Sequence, residues 1–212
     1  MDSGNDEKAC FISVEGEKLH YAIDDLAVPT APGFLMDFEV QALDLIANEQ
    51  RKIEYQSIRF LKNRFFSGTP IEYLPNGRPF IPGSHYTIGI SHSKKHAVFA
   101  FSKVLFGCDI EEKDPRLFKV EERFTGPSET SRLEPFSSLD RLCMLWTCKE
   151  AIFKLVGVTG IRWKEQCTLL HVDLPVLTFQ LAMQDRIIPV KCHVEQVGPS
   201  TWISFAFHQN HE

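Results

Sequence analysis

Two short stretches hold the residues best suited to chemistry. The first is Gly107-Cys108-Asp109-Ile110-Glu111, which follows the apolar run Val104-Leu105-Phe106. It reads as the end of a buried strand, with Asp109 and Glu111 on one face and Cys108 and Ile110 on the other. The second runs from Trp146 to Lys154 in a helix-period segment, Leu139 to Val156. There Trp146, Glu150 and Lys154 fall four residues apart and share a face. If that face meets the strand end, three carboxylates converge. At an effective dielectric near 20, like charges about 5 Å apart repel by roughly 3 kcal/mol per pair. Such a cluster must take up protons or hold a cation. An all-oxygen set suits Mg²⁺ or Mn²⁺ better than zinc, and Lys154 is placed to meet a phosphate oxygen. Taken alone, D-x-E is a common surface pair, and a solvated strand end explains it equally well.

The elements that must position these groups follow from pattern. Ser137 or Ser138 can cap the acid-bearing helix, Asp140 suits its first turn, and Gly157 can end it. Upstream, Cys10–Val14 and Lys18–Ile23 flank Glu15-Gly16 as a hairpin, and 24–33 is expected to be a loop. Leu35–Ala47 has helical spacing. A second helix is expected from the cap Asn48 to about Phe66, with Arg51, Lys52, Arg59 and Lys62 on the side away from its apolar stripe, an ordinary solvated face being the bland reading and the preferred one for Lys62. Asn76-Gly77 marks a turn. Thr87–Ser91, His96–Phe101 and Val104–Glu111 are expected to form one antiparallel meander. Residues 112–135 read as a charged loop with a short helix near Phe118–Phe124. Four strands follow Gly157: Cys167–Val172, Val176–Met183, Ile187–Glu195 and Thr201–Phe207. Ala97–Phe101 echoes Ile203–Phe207, and Arg51–Asn63 can be laid over Arg141–Lys154, which suggests two similar halves.

The 212 residues, 43% of them hydrophobic, can bury a sizeable core. A net charge of −5 argues against a general nucleic-acid binder. No apolar stretch reaches membrane-spanning length, and Met1–Lys8 lacks the layout of a signal peptide. The six cysteines show no C-x-x-C spacing. They read as reduced, packed thiols, and the chain as a cytoplasmic protein.

G-x-D-x-E followed by W-x-x-K-E-A-x-x-K resembles the 4′-phosphopantetheinyl transferase superfamily in its surfactin-synthetase-activating branch. Asn76-Gly77-Arg78-Pro79 and Ile90-Ser91-His92-Ser93 match two further motifs of that branch in order. The resemblance runs from about Asn48 to Gly157. It implies an α+β fold of two similar halves related by a pseudo-two-fold axis, 1–103 and 104–212, with the active site in the cleft between them. It also implies Mg²⁺-dependent transfer of the phosphopantetheine arm from coenzyme A to a serine of an acyl or peptidyl carrier protein, releasing 3′,5′-ADP. Fatty-acid and peptide or polyketide carriers are the partner classes, and a monomer is expected.

In that reading Asp109, Glu111 and Glu150 hold the metal, and Lys154 steadies phosphate charge. Glu150 is also a candidate base, and Lys149 is an outward or bridging residue. Trp146 is read as core. His92 and Ser91 contact coenzyme A phosphate, Gly77 and Arg78 let the backbone and a cation approach the nucleotide, and Arg51 grips the 3′-phosphate. The chain departs from the pattern at Arg78, where lysine is usual, and at Lys94, where glycine often follows. It also has Asp24 and Asp25, and no Lys or Arg from there until Arg51, where some members carry loop lysines. A non-catalytic relative that binds coenzyme A or a carrier is the alternative. A different Mg²⁺-dependent nucleotide enzyme would need the same acids without the two upstream motifs.

Overall fold

A computed structural model describes residues 10–14, 16–27, 32–183 and 186–209. The chain divides into two compact units, Met1–Val104 and Leu105–Glu212. Each sets a long helix on an antiparallel sheet, so the fold is α+β.

The first unit contains β1 (Cys10–Val14), β2 (Glu17–Asp25), α1 (Asp37–Asp44), α2 (Glu49–Asn63), β3 (Glu72–Tyr73), β4 (Pro79–Phe80), β5 (Thr87–His92) and β6 (His96–Ser102). Its main sheet has the order β1-β2-β6-β5, and β3 and β4 form a separate pair. β6 is internal and almost wholly buried, which explains its unbroken apolar run from Ala97 to Phe101. α2 packs on β6 and β2 through Ile58 and Leu61, against Ile88, Phe99 and Phe101. The Asn48 side chain caps α2 by accepting from Arg51 N at 3.0 Å.

Two expectations for this unit change. β2 extends through Asp24 and Asp25, and Asp24 is buried, accepting from the Ser57 hydroxyl of α2. Lys62 and Arg59 are not on a solvated face: both are buried. Lys62 Nζ donates to Thr69 O at 2.6 Å and Asn63 Oδ1 at 3.1 Å, so the ammonium enters the interior with acceptors in place.

The second unit contains β7 (Phe106–Glu112), α3 (Leu117–Phe124), α4 (Ser138–Val156), α5 (Trp163–Gln166), β8 (Cys167–Asp173), β9 (Val176–Met183), β10 (Arg186–Val197) and β11 (Thr201–His208). Its sheet has the order β7-β11-β10-β9-β8. The expected meander therefore breaks after β6. β7 joins the second sheet and pairs antiparallel with β11, Ile110 opposite Ile203 and Cys108 opposite Phe205.

α4 is held at both ends as its sequence suggests. Ser137 accepts from Asp140 N at the start, and Gly157 takes the left-handed conformation, φ 65°, at the stop. Leu142, Cys148, Ile152 and Leu155 pack into a core with Leu177, Phe179 and Val190.

Candidate active site

The site begins with a missing side chain. Gly107, Asp109 and Glu111 lie on one face of β7, and α4 crosses that face. A Cβ at Gly107 would stand 2.1 Å from the Ala151 carbonyl oxygen and 2.5 Å from Leu155 N. Only glycine lets the helix backbone come down this far onto the strand. That approach carries Glu150 and Lys154 toward the two strand acids.

Lys154 Nζ donates to Asp109 Oδ1 at 2.7 Å; Asp109 is buried, and about a third of the lysine side chain is exposed. Burial opposes charge on Lys154, but Asp109, Cys108 and Glu150 outweigh it, and the ammonium titrates above its usual range. Burial and then Asp109 raise the Glu150 carboxyl, with Lys154 acting the other way. Glu111 is pushed up to about 7 by burial and by Asp109, despite a hydrogen bond from Trp146. That bond, Trp146 Nε1 to Glu111 Oε1, measures 3.1 Å. Trp146 thus has a polar task beside its edge-to-face contact with Phe124. It also lines a groove of about 270 Å³ with Leu117 and Val120 of α3.

Lys149, next to Glu150, is fully buried rather than outward. Its ammonium donates to Phe124 O at 2.5 Å, to Glu129 Oε2 at 2.9 Å and to Cys167 O at 2.9 Å. Glu129 also accepts from Gly126 N at 2.6 Å and Leu169 N at 2.7 Å. This saturated pair ties α3, the following loop and β8 to α4. Burial raises the Cys108 and Cys143 thiols to about 12, so neither is a nucleophile at neutral pH.

In the first unit, α2 and β5 bring Arg51 and His92 to one cavity of about 310 Å³. Arg51 Nη1 meets His92 Nε2 and donates to Glu54 Oε2 at 2.9 Å. Gly77 and Arg78 occupy the turn between β3 and β4 and do not line this cavity. Gly77 has φ 82°, the left-handed region that the turn requires. Arg78 N donates to Asn76 Oδ1 at 3.2 Å, and burial lowers the Arg78 guanidinium pKa. Ser91 is buried, beside His92 on β5.

A family model described as the 4′-phosphopantetheinyl transferase superfamily matches residues 105–206, which include β7, α4 and the whole acid cluster. Over this segment the chain matches that superfamily. No curated protein matches the chain. Proteins of that superfamily transfer the phosphopantetheine group and take coenzyme A as co-substrate. Among the described residues, no helix is long and apolar enough to cross a membrane.

Phosphopantetheinyl transferases typically use a divalent metal. Among the described residues, no group of three or more His, Cys, Asp or Glu side chains is placed to hold one. The donor chemistry nevertheless fits a hard cation. Asp109, Glu111 and Glu150 are oxygen donors, burial and then the Asp109 charge raise the Glu111 and Glu150 carboxyls, and the Lys154 ammonium on Asp109 is a resident positive charge.

Of the residues singled out from sequence, the second unit brings Asp109, Glu111, Glu150 and Lys154 into electrostatic contact, and the first brings Arg51 to His92. Glu54 and Glu129 were missed. Each is a glutamate without a motif, and only a buried lysine or a histidine distant in sequence gives it a role.

Proposed function

We propose that this protein moves the 4′-phosphopantetheine group from coenzyme A to a serine hydroxyl of an acyl or peptidyl carrier protein. The serine oxygen forms a bond to the phosphorus that carries pantetheine, and the bridging P–O bond breaks, releasing 3′,5′-ADP. The serine proton leaves to a base. The observation that carries the reading is the acid–lysine cluster that Gly107 allows, inside the segment matched by the family.

Asp109, Glu111 and Glu150 would hold Mg²⁺ (Mn²⁺ is compatible), which when bound neutralises pyrophosphate charge. Lys154, kept charged by Asp109, supplies a fixed positive charge toward a phosphate oxygen. Glu150 is the candidate acceptor of the serine proton, since a carboxylate with a raised pKa is the stronger base. Arg51, Ser91 and His92 would receive phosphates of coenzyme A, and Gly77 and Arg78 would approach its nucleotide.

Mass spectrometry of an apo carrier protein incubated with coenzyme A, Mg²⁺ and this protein tests the reading. A gain of the phosphopantetheine mass supports it, and an unmodified carrier defeats it. The alternative, a relative that binds coenzyme A or a carrier without transfer, draws on one observation: no three acids close around a single point among the described residues.

A further inference from the structure

The cavity of the first unit holds a charge that a phosphate site would not be expected to carry. Its polar end is built from Arg51, Glu54 and His92, and its walls include Tyr55, Tyr73 and Ile90. Glu54 is one helical turn from Arg51 on α2, and only 11% of its side chain is exposed. Its Oε2 takes the Arg51 Nη1 hydrogen bond at 2.9 Å and also lies 3.4 Å from His92 Nδ1.

The protonation pattern follows from donor arithmetic. Arginine has only donors, so the His92 Nε2 that meets Arg51 must accept. The ring proton then sits on Nδ1, facing Glu54. The three side chains close a ring in which Glu54 takes the place of an anionic ligand: it receives a guanidinium N–H and faces an imidazole N–H. The second arginine lining the cavity, Arg59, has its own carboxylate, Glu39, at 3.8 Å and lies over the Tyr55 ring at 3.5 Å. The two guanidiniums and two carboxylates sum to no net charge. A phosphate entering here meets paired cations rather than a positive field.

We propose that Glu54 sets how tightly this cavity holds a phosphate group, by competing with the ligand for Arg51 and His92. The inference rests on the proposed function in taking the ligand to be a phosphate ester. Binding requires the carboxylate to give up Arg51, and release is assisted when it returns. Glu54 is thus an affinity-determining residue, and the neutral amide of the same shape removes its competition while keeping its volume.

The test uses the full chain and inorganic pyrophosphate, read by calorimetry without any carrier protein. Glu54→Gln should bind pyrophosphate about tenfold more tightly than wild type, the scale of one charge-assisted hydrogen bond that the ligand no longer has to displace. In an Arg51→Ala background, where only His92 is left to compete for, the same substitution should tighten binding much less. Glu54→Ala replaces Glu54→Gln if thermal melting shows the latter unfolded. Unchanged or weaker binding by the folded Glu54 variant overturns the proposal, as does an equal tightening without Arg51 or no pyrophosphate binding by any variant. The carrier assay is independent: an unmodified carrier with the tighter pyrophosphate binding intact defeats the transfer reading and leaves this inference standing.

Discussion

Gly107 and Ala151 are in backbone contact across the strand–helix junction, with room for a hydrogen at Gly107 and no room for a methyl: the added carbon would sit 2.1 Å from the Ala151 carbonyl oxygen. Backbone atoms cannot rotate away as a side chain can. Gly107→Ala should therefore destabilise the second unit by about 3 kcal/mol, the upper range for overpacking. Transfer should fall even where the fold survives, because α4 carries Glu150 and Lys154. Urea unfolding checks the first effect. Wild-type stability in the variant would show that the strand and helix are not in fact this close.

Substituting the acids separates catalysis from folding. Asp109→Asn and Glu150→Gln each remove a proposed metal ligand, and each also relieves repulsion on its neighbours. Transfer should drop at least about a hundredfold, as for loss of a strong electrostatic contact in a transition state. Thermal stability without metal should hold or rise in Glu150→Gln and fall in Asp109→Asn, which leaves the Lys154 ammonium without its carboxylate, and in both the stabilisation that Mg²⁺ gives wild type should disappear. Near-wild-type turnover in either variant would sink the metal assignment.

Glu111 gives stability a pH dependence of defined sign. Burial and Asp109 raise its pKa from 4.5 to about 7 in the folded protein. Between those values the folded state keeps a proton that the unfolded chain has lost. This contribution is fully present below pH 4.5 and is lost as pH rises through 7. Its size is at most about 3 kcal/mol. Glu111→Gln should lack this component, so the difference in unfolding free energy between variant and wild type should widen in the variant's favour from about pH 4.5 to about pH 7.5 in chelator. A constant difference would contradict the assignment.

Lys149 and Glu129 should behave as a buried pair with little tolerance for losing one member. Lys149→Met leaves the Glu129 carboxylate without its ammonium and should cost about 3–5 kcal/mol. Adding Glu129→Gln should recover part of that loss, because the amide no longer buries a charge. Chemical denaturation of the single and double variants decides the matter. If the second substitution only adds to the damage, charge is not what the pair balances.

The carrier should dock near α3. Arg116, Lys119 and Arg123 are exposed there, Phe118 is 49% exposed, and Leu117 and Val120 line the groove beside Trp146. Arg116 is the least available of the three, since Asp114 accepts from its Nη2 at 2.6 Å. Replacing all three by alanine should raise the Michaelis constant for carrier protein and flatten its dependence on salt, with coenzyme A affinity unchanged. Unaltered carrier kinetics would move docking elsewhere.

The sequence was most informative where chemistry is local. The Ser137 and Gly157 caps, the Asn48 cap and the alternation of Asp109 with Cys108 depend on near neighbours, and each is found in the structure. It was least informative where a residue's partner is distant. Lys62 reads as solvated until Thr69 O and Asn63 Oδ1 surround its ammonium. Lys149 reads as outward or bridging, and only the enclosure by Phe124, Glu129 and Cys167 decides for the bridge. β7 looks like the third strand of a meander because it follows β6 closely. Pairing with β11, almost a hundred residues later, leaves no mark in the local pattern of β7.

That pairing bears on how the protein is made. β7 is an edge strand whose sole neighbour in its sheet is β11, the last strand among the described residues. During synthesis the acid-bearing strand emerges early and waits for Thr201–His208 before it has a ladder to join. The second unit's sheet therefore closes only once Thr201–His208 has been made, while every strand of the first unit's main sheet is already available. A nascent chain halted before residue 201 would carry Asp109, Glu111, Glu150 and Lys154 without the sheet that aligns them.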